Sequence, residues 1–280
     1  MRPKLSIWSR YFRELTPEET VDRFLQYGIP AAELSIEDSR RLLERDPDID
    51  KTGKAFKAFL QDRGFEISQG HLYRTMICTE PDALDLLEQW IRLYDAIGIQ
   101  NAVFHCDHLA ESGLSHRERL DKNAEMLKQL ADRVQDTNVT ICVENMHSRS
   151  LDRVTTTIDE ILYLLDKLDS DRFGICLDTS HLNLEPDNDQ GRFIRAAGSR
   201  LRAMHVGDND TSTDQHLMPF GRGTIDFAAV VEALREVGYK GLFNLEIPGE
   251  CKNVPIEMRS EKLKFIRSAY DYLMRDWPES

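Results

Sequence analysis

The sequence predicts a single (β/α)8 TIM barrel, formed as one domain over residues 1–280. Three observations carry that prediction. Eight short apolar runs recur with starts about 27 to 40 residues apart, the length of one strand–helix unit with its loops. Amphipathic helical patterns lie between the runs. No low-complexity segment or Pro/Ser-rich linker interrupts the alternation, and 280 residues suits one such barrel, for which ~250 is typical.

The strand candidates, in order, are KLSIWS (4–9), AAELSI (31–36), FEISQGHL (65–72), NAVFHC (101–106), VTICVEN (139–145), FGICLDTS (173–180), LRAMHVGD (201–208) and GLFNLEIP (241–248). After the first, TPEETVDRFLQYG reads as a helix with Thr16 as N-cap, a proline at its first position and Gly28 as stop signal. Region 38–64 is charged and longer than a minimal crossover; it fits one long helix or two split near DPDIDKTGK. EPDALDLLEQWIRLYDAIG places Leu84, Leu87, Ile91 and Tyr94 on one face and stops at Gly98. HRERLDKNAEMLKQLADRVQ and TIDEILYLLDKLD follow the fourth and fifth strands. DFAAVVEALREVGYKG, with Asp226 as cap, precedes the eighth, and EMRSEKLKFIRSAYDYLMRD closes the chain.

Composition bounds the class of protein. At 41% apolar and 30% charged, a chain this long buries a large core. No apolar run approaches the ~18 residues of a membrane span, and the N-terminal stretch has no apolar core of signal-peptide length, so a cytoplasmic protein without membrane contact is the expectation. The net charge of −13 argues against general nucleic-acid binding, although a local basic groove or bound metal ions can override it. Cys106, Cys142 and Cys176 fall in apolar runs and read as small buried hydrophobes; five cysteines without a CxxC pair make no disulfide framework or zinc ribbon.

The chemistry lies where the strands end. Strands five to eight terminate on Glu144, on Asp178 with His181, on His205 with Asp208, and on Glu246. Strand three ends on His71, strand four on His105 and His108. In a parallel barrel these ends share one rim. Any one of them alone reads as a helix-start charge or a satisfied rim histidine. Four consecutive strands ending this way need a counter-charge, because unpaired buried charges are costly. A divalent metal supplies one. Glu144, Asp178, His205 and Glu246 form a shell of three carboxylates and one imidazole, suited to Mn2+, Mg2+ or Co2+ and tolerant of Zn2+. After strand seven, DNDTSTDQHLMPFGRGTIDF adds Asp214 and His216, which read either as further ligands or as a solvated loop. Its Gly221 and Gly223 are a short, weak signal for phosphate held on backbone N–H groups. Trp8 and Tyr73 suit the apolar wall of a sugar site, while Phe104 reads as core.

The motifs VEN, LDTSHLN, HVGDND, DQHLMPFGRGTIDF and LEIPGE resemble the xylose isomerase-like TIM barrels, most closely their sugar phosphate isomerases/epimerases, over residues 4–275. The resemblance implies a single divalent metal on Glu144, Asp178, His205 and Glu246. It implies Glu144 and Glu246 as the acid/base pair that moves a proton through a metal-stabilised enediolate, and His181 as a group that holds a substrate oxygen. The expected function is a metal-dependent isomerase or epimerase acting on a sugar, sugar phosphate or related polyol-ketone.

The chain departs from the epimerases at Ser150, where some carry a second glutamate, and after His205, where some carry an arginine; Arg222 or Arg149 are the substitutes at hand. Alternatives on the same frame are an inosose dehydratase-like lyase and, least expected, a non-catalytic sugar-binding module. The endonuclease IV-type abasic-site nucleases also share the superfamily and hold three zinc ions; His71, His105, His181, Asp214 and His216 match their extra ligands. Against that reading stand Cys106-Asp107 where those nucleases favour Pro-Gly, MetHisSerArgSer (146–150) where they carry a glycine-rich run, and the acidic charge. Barrels of this kind often pair, so a homodimer or homotetramer is compatible with the sequence, which carries no signal for either.

Overall fold

All eight apolar runs become parallel strands in the computed structural model, which describes residues 2–149 and 151–278. They are β1 (Leu5–Trp8), β2 (Ala31–Leu34), β3 (Glu66–His71), β4 (Asn101–Phe104), β5 (Thr140–Glu144), β6 (Phe173–Asp178), β7 (Leu201–His205) and β8 (Phe243–Leu245). Each pairs with its sequence neighbour, and β1 also pairs with β8. The ring closes where Val206 bridges Leu245: the Val206 amide donates to Asn244 O at 2.7 Å and the Glu246 amide to Val206 O at 3.1 Å.

The helices follow from their caps. α1 (Pro17–Gln26) starts on Thr16, whose hydroxyl accepts from the Glu19 amide while Glu19 reaches back to the Thr16 amide, a reciprocal capping box. Region 38–64 is two helices, α2 (Ile36–Leu43) and α3 (Ile49–Arg63). The break falls at Asp46-Pro47-Asp48 because proline disfavours helix in the residue before it, and Asp48 then caps α3 by accepting from the Lys51 amide at 3.0 Å. α4 (Ala83–Ile97) buries Leu87, Ile91 and Tyr94 and stops at Gly98, whose φ of 95° suits a residue without a Cβ. α5 (His116–Arg133) and α6 (Ile158–Leu168) stand on Ser115 and Thr157 caps. Between β6 and β7 lie α7 (Thr179–Asn183) and α8 (Gln190–Ala197), which the sequence reading did not identify; they are short, and LEPDND separates them. α9 (Phe227–Glu236) takes Asp226 as cap, and α10 (Ile256–Leu273) closes the ring. Among the described residues no helix is long and apolar enough to cross a membrane.

The core has two parts. Outside the strands, Trp90, Tyr94, Tyr11, Phe12 and Phe24 are buried in one large apolar layer under the helices. Inside the barrel, Val103, Cys142, Cys176 and Ala203 form a separate, fully buried cluster. The three cysteines expected to be buried are, and no disulfide links the five.

Thr16→Ala is expected to remove the side-chain half of the α1 cap, leaving the Thr16 amide to Glu19, and to lower stability by about 1 kcal/mol. A urea titration would read this as a lower midpoint at an unchanged slope.

Candidate metal centre

Strand periodicity explains which side chains meet. Side chains two positions apart share a face of a strand. Val103, Cys142, Cys176 and Ala203 fill the barrel interior, so His105, Glu144, Asp178 and His205, each two residues further on, stand above them at the C-terminal rim. Gln69 and Asn244 hold the same relation to His71 and Glu246. Register completes the placement: Glu144 pairs with Cys176, Asp178 with His205, and Val206 with Leu245.

Glu144, Asp178, His205 and Glu246 each bring one ligand atom within 4.8 Å of the others. That spacing is near what a shared ion with bonds of ~2.0–2.3 Å allows. His205 Nδ1 lies 3.1 Å from Glu246 Oε2 and 3.3 Å from Glu144 Oε2. Two buried polar atoms here, His205 Nδ1 and Asp178 Oδ2, have no hydrogen-bond partner, and they stand 4.0 Å apart. Orphaned buried donors and acceptors are expensive unless something else satisfies them. The donor set and these orphans fit a divalent cation.

Two flanking clusters adjoin the central one. His71, His105 and Glu144 form the first. The Nε2 atoms of His71 and His105 approach to 3.2 Å, and His105 Nε2 lies 2.8 Å from Glu144 Oε2. His71 Nδ1 contacts Leu72 O at 2.8 Å, which turns its Nε2 toward the cluster. Burial, helped by the His105 ring, pulls the His71 pKa down to about 3.

The second flanking cluster joins His181, His216, Asp214 and His147, with Asp178 at its edge. His181 Nδ1 contacts Asn145 O at 2.9 Å and His216 Nδ1 contacts Glu246 O at 3.1 Å. Both rings therefore aim Nε2 at Asp214, at 3.4 and 3.0 Å. His216 adopts φ 46°, a left-handed conformation uncommon outside glycine, and backbone pairing of Asp208 with Leu217 holds the loop in place.

Charge at the rim is mutually balanced. Burial would raise the Glu144 carboxyl, but His105, His205 and His181 outweigh it and hold Glu144 well below its ordinary range. Burial pushes Asp178 up to about 6 against the pull of His181 and His216. Burial would lower His216, yet Asp178, Asp214 and Glu246 raise it to about 9. His181 is raised in the same way by Asp178, Asp214 and Glu144.

A cavity of about 530 Å³ opens over this centre, with His105, His181, Asp214, His216 and Glu246 among its walls. A neighbouring cavity of about 420 Å³ shares Glu246 and is walled by Trp8 and Tyr73, while Phe104 is core. Arg222, the substrate contact expected from the sequence, is exposed and is not among the residues lining the cavity. Arg149 is occupied by the carbonyls of Leu184 and Ser212, and Ser150 lies outside the described residues. Asp208 accepts from the amides of Asn209, Thr224 and Ile225 at 2.9 to 3.1 Å. A Cβ on Gly223 would fall 1.9 Å from its carboxyl carbon, so the Gly-x-Gly loop packs directly on this aspartate, and the two amides that follow the loop hold it.

Glu33, like His147 in the flanking cluster, is a residue of the centre that sequence reasoning missed. It is fully buried on β2, and its Oε2 contacts His205 Nε2 at 2.7 Å and accepts from Asn244 Nδ2 at 3.1 Å and from Gln69 Nε2. That contact commits one ring nitrogen of His205 and presents the other to the centre. The signal was available: AAEL puts a carboxylate inside an apolar strand, the same anomaly that marked Glu144 and Asp178.

A family model described as "Xylose isomerase-like TIM barrel" matches residues 21–269, and the chain belongs to that family. An L-ribulose 3-epimerase of Methylomonas sp. (strain DH-1) is 27% identical over 144 residues, 51% of this chain and 48% of that protein. "Probable endonuclease 4" of Mycoplasmopsis agalactiae is 36% identical over 100 residues, covering 36% of this chain and 34% of that one. The chain spans about half the length of the first curated relatives it matches. The crystal structure of a D-tagatose 3-epimerase-like protein superposes with a TM-score of 0.78 at 21% identity, covering 98% of both chains, a likeness of fold.

Glu33→Gln is expected to weaken metal binding by about 10- to 100-fold, because an outer partner of a ligating histidine sets the ring's basicity and orientation. Competition with a chromogenic chelator reads it out; unchanged affinity would remove Glu33 from the centre.

Proposed function

We propose that the chain is a metal-dependent isomerase or epimerase that moves a proton at the carbon next to a carbonyl of a sugar, sugar phosphate or related polyol-ketone. The observation that carries this reading is the double position of Glu246: it is one of the four groups converging on the candidate metal position and also a wall of the cavity. A bound divalent cation, held by Glu144, Asp178, His205 and Glu246, would supply Lewis-acid charge beside the substrate's carbonyl and hydroxyl oxygens. Glu246 takes or returns the proton on the open side. Glu144, the second carboxylate, is reached through His105, which lines the cavity 2.8 Å from it. His181 holds a substrate hydroxyl or carbonyl oxygen through Nε2. The volume of about 530 Å³ lies in the ~300–1,000 Å³ range of small-molecule sites. The 3-epimerase names of several relatives support the same chemistry.

A second reading is favoured by one observation: Glu144 belongs to both the central cluster and the His71–His105 cluster, and His181, Asp214 and His216 make a third position beside them. Three adjacent cation positions suit a trinuclear zinc hydrolase of the endonuclease IV type, the name one relative carries. The net charge of −13 and the cavity's small-molecule size favour the first reading. Elemental analysis of protein purified without chelator separates them: about one Mn2+, Co2+ or Zn2+ per chain supports the isomerase, and about three Zn2+ support the nuclease.

Three outcomes are expected. Chelator removes turnover and added divalent metal restores it. Glu246→Gln lowers turnover on ketoses by at least about 100-fold, beyond any loss of metal measured in parallel; a near-normal rate would sink the acid/base role. His216→Ala costs less than about tenfold with a single metal but abolishes a three-metal reaction. Metal binding should also release protons. Without metal, His205, the one imidazole among the four ligands, is held above the ordinary histidine value by Glu33, Glu246 and Glu144 against the effect of burial and so is charged at neutral pH, while ligation needs a lone pair. Affinity should therefore rise with pH, and calorimetry in two buffers of different ionisation heat counts the protons.

A further inference from the structure

Two arginines line the cavity without an anion to meet them. Arg74 follows β3, three residues beyond His71, and Arg153 lies in the segment between β5 and α6. Among the described residues neither guanidinium has a carboxylate within salt-bridge distance, and the buried Nε of Arg153 has no hydrogen-bond partner. The fully buried arginines elsewhere are paired: Arg119 donates to Asp152 and Arg259 to Glu14. The pair is also close enough to repel, since after burial Arg74 is the largest influence lowering the Arg153 pKa.

Both arginines are presented on pinned loops. Asp107 accepts from the amides of Ile77 at 3.1 Å and Cys78 at 2.7 Å, which ties the Arg74 loop to the end of β4. Arg119 donates to His108 O and Asp152 O, each at 2.9 Å, and to the Asp152 carboxylate at 2.7 Å, which fixes the residue before Arg153. Two like charges held together in a cavity, with donors left over, make a preorganised oxyanion receptor. Arg74 also borders the neighbouring cavity, so the pair stands over the cleft that Glu246 shares.

We propose that Arg74 and Arg153 form an anion clamp that holds the phosphate monoester or carboxylate of the substrate at the mouth of the cavity, with the reacting carbons toward Glu246. The proposal rests on the reading of this cavity as a substrate site. It places the anion away from the Gly-x-Gly loop, which packs on Asp208, and away from Arg222, which does not line the cavity.

The test reads binding rather than turnover, so it can fail or succeed independently of the isomerase reading. Metal-loaded full-length protein is titrated calorimetrically with inorganic phosphate, D-fructose 6-phosphate, D-gluconate and neutral D-fructose, alongside Arg74→Gln, Arg153→Gln and the double variant, each with its metal content measured. The clamp predicts that at least one anionic probe binds more tightly than D-fructose, and that each single substitution weakens it by about tenfold or more at unchanged metal content. It also predicts that the double variant binds anion and neutral sugar alike. Preference for D-fructose 6-phosphate identifies a phosphate ester as the group held; preference for D-gluconate identifies a carboxylate. Anion binding that survives the double substitution would assign the anion to the metal or histidines and overturn the clamp. So would an absence of any anion preference in the unsubstituted protein. Arg74→Lys and Arg153→Lys should retain part of the affinity, which a loss caused by misfolding would not produce.

Discussion

Four carboxylates are buried at one end of this barrel, and their proximity governs the architecture around them. Glu33, Glu144, Asp178 and Glu246 would repel one another at prohibitive cost without the imidazoles set among them. His205 is the hinge of that balance. One nitrogen touches Glu33 inside the barrel, and the other faces three carboxylates at the rim. Gln69 and Asn244 complete the shell of Glu33, and Ser6 donates to Asn244 at 2.8 Å. The strands must therefore pair in one register, because a slip of a single residue would turn Asp178 or His205 into the apolar layer beneath the helices.

The rim is stiffened from outside by groups that take no part in the centre. Arg119 on α5 joins the β4–α5 and β5–α6 loops through one guanidinium, Asp107 ties the first of these to the β3–α4 loop, and the Asp208–Leu217 pairing closes the loop that carries Asp214 and His216. The left-handed backbone at His216 is held against its local preference by that closure. Preorganisation of this kind keeps ligand atoms at fixed distances, the condition for tight and selective binding.

Much of this was legible in the sequence, because barrels repeat one unit and the anomalies recur at one place in it. Apolar runs gave all eight strands, and Thr16, Asp226 and Gly98 marked helix ends where the structure has them. Charged residues at strand ends pointed to Glu144, Asp178, His205 and Glu246, which do converge. What escaped was information held in three dimensions. Glu33 lay mid-strand, where a single carboxylate reads as an outward side chain until the barrel closes over it. α7 and α8 are too short for a helical period to emerge. Arg222 was the substitute at hand for the arginine that some epimerases carry after the strand-seven histidine, but its loop packs on Asp208 and leaves it in solvent. Arg74 and Arg153 carry no motif, and only the folded cavity shows that they share a wall.

The interior layer beneath the centre is divided. On one side stand Val103, Cys142, Cys176 and Ala203, which touch each other through apolar contact alone. On the other stand Ser6, Glu33, Gln69 and Asn244, locked by directional hydrogen bonds. The apolar side can exchange one small residue for another of similar volume with little loss. The hydrogen-bonded side can change only if several residues change in concert, since each satisfies its neighbour. Sequence drift among descendants of this chain would therefore be lopsided, free under β4 to β7 and frozen under β8, β1, β2 and β3, although both halves are equally hidden from solvent.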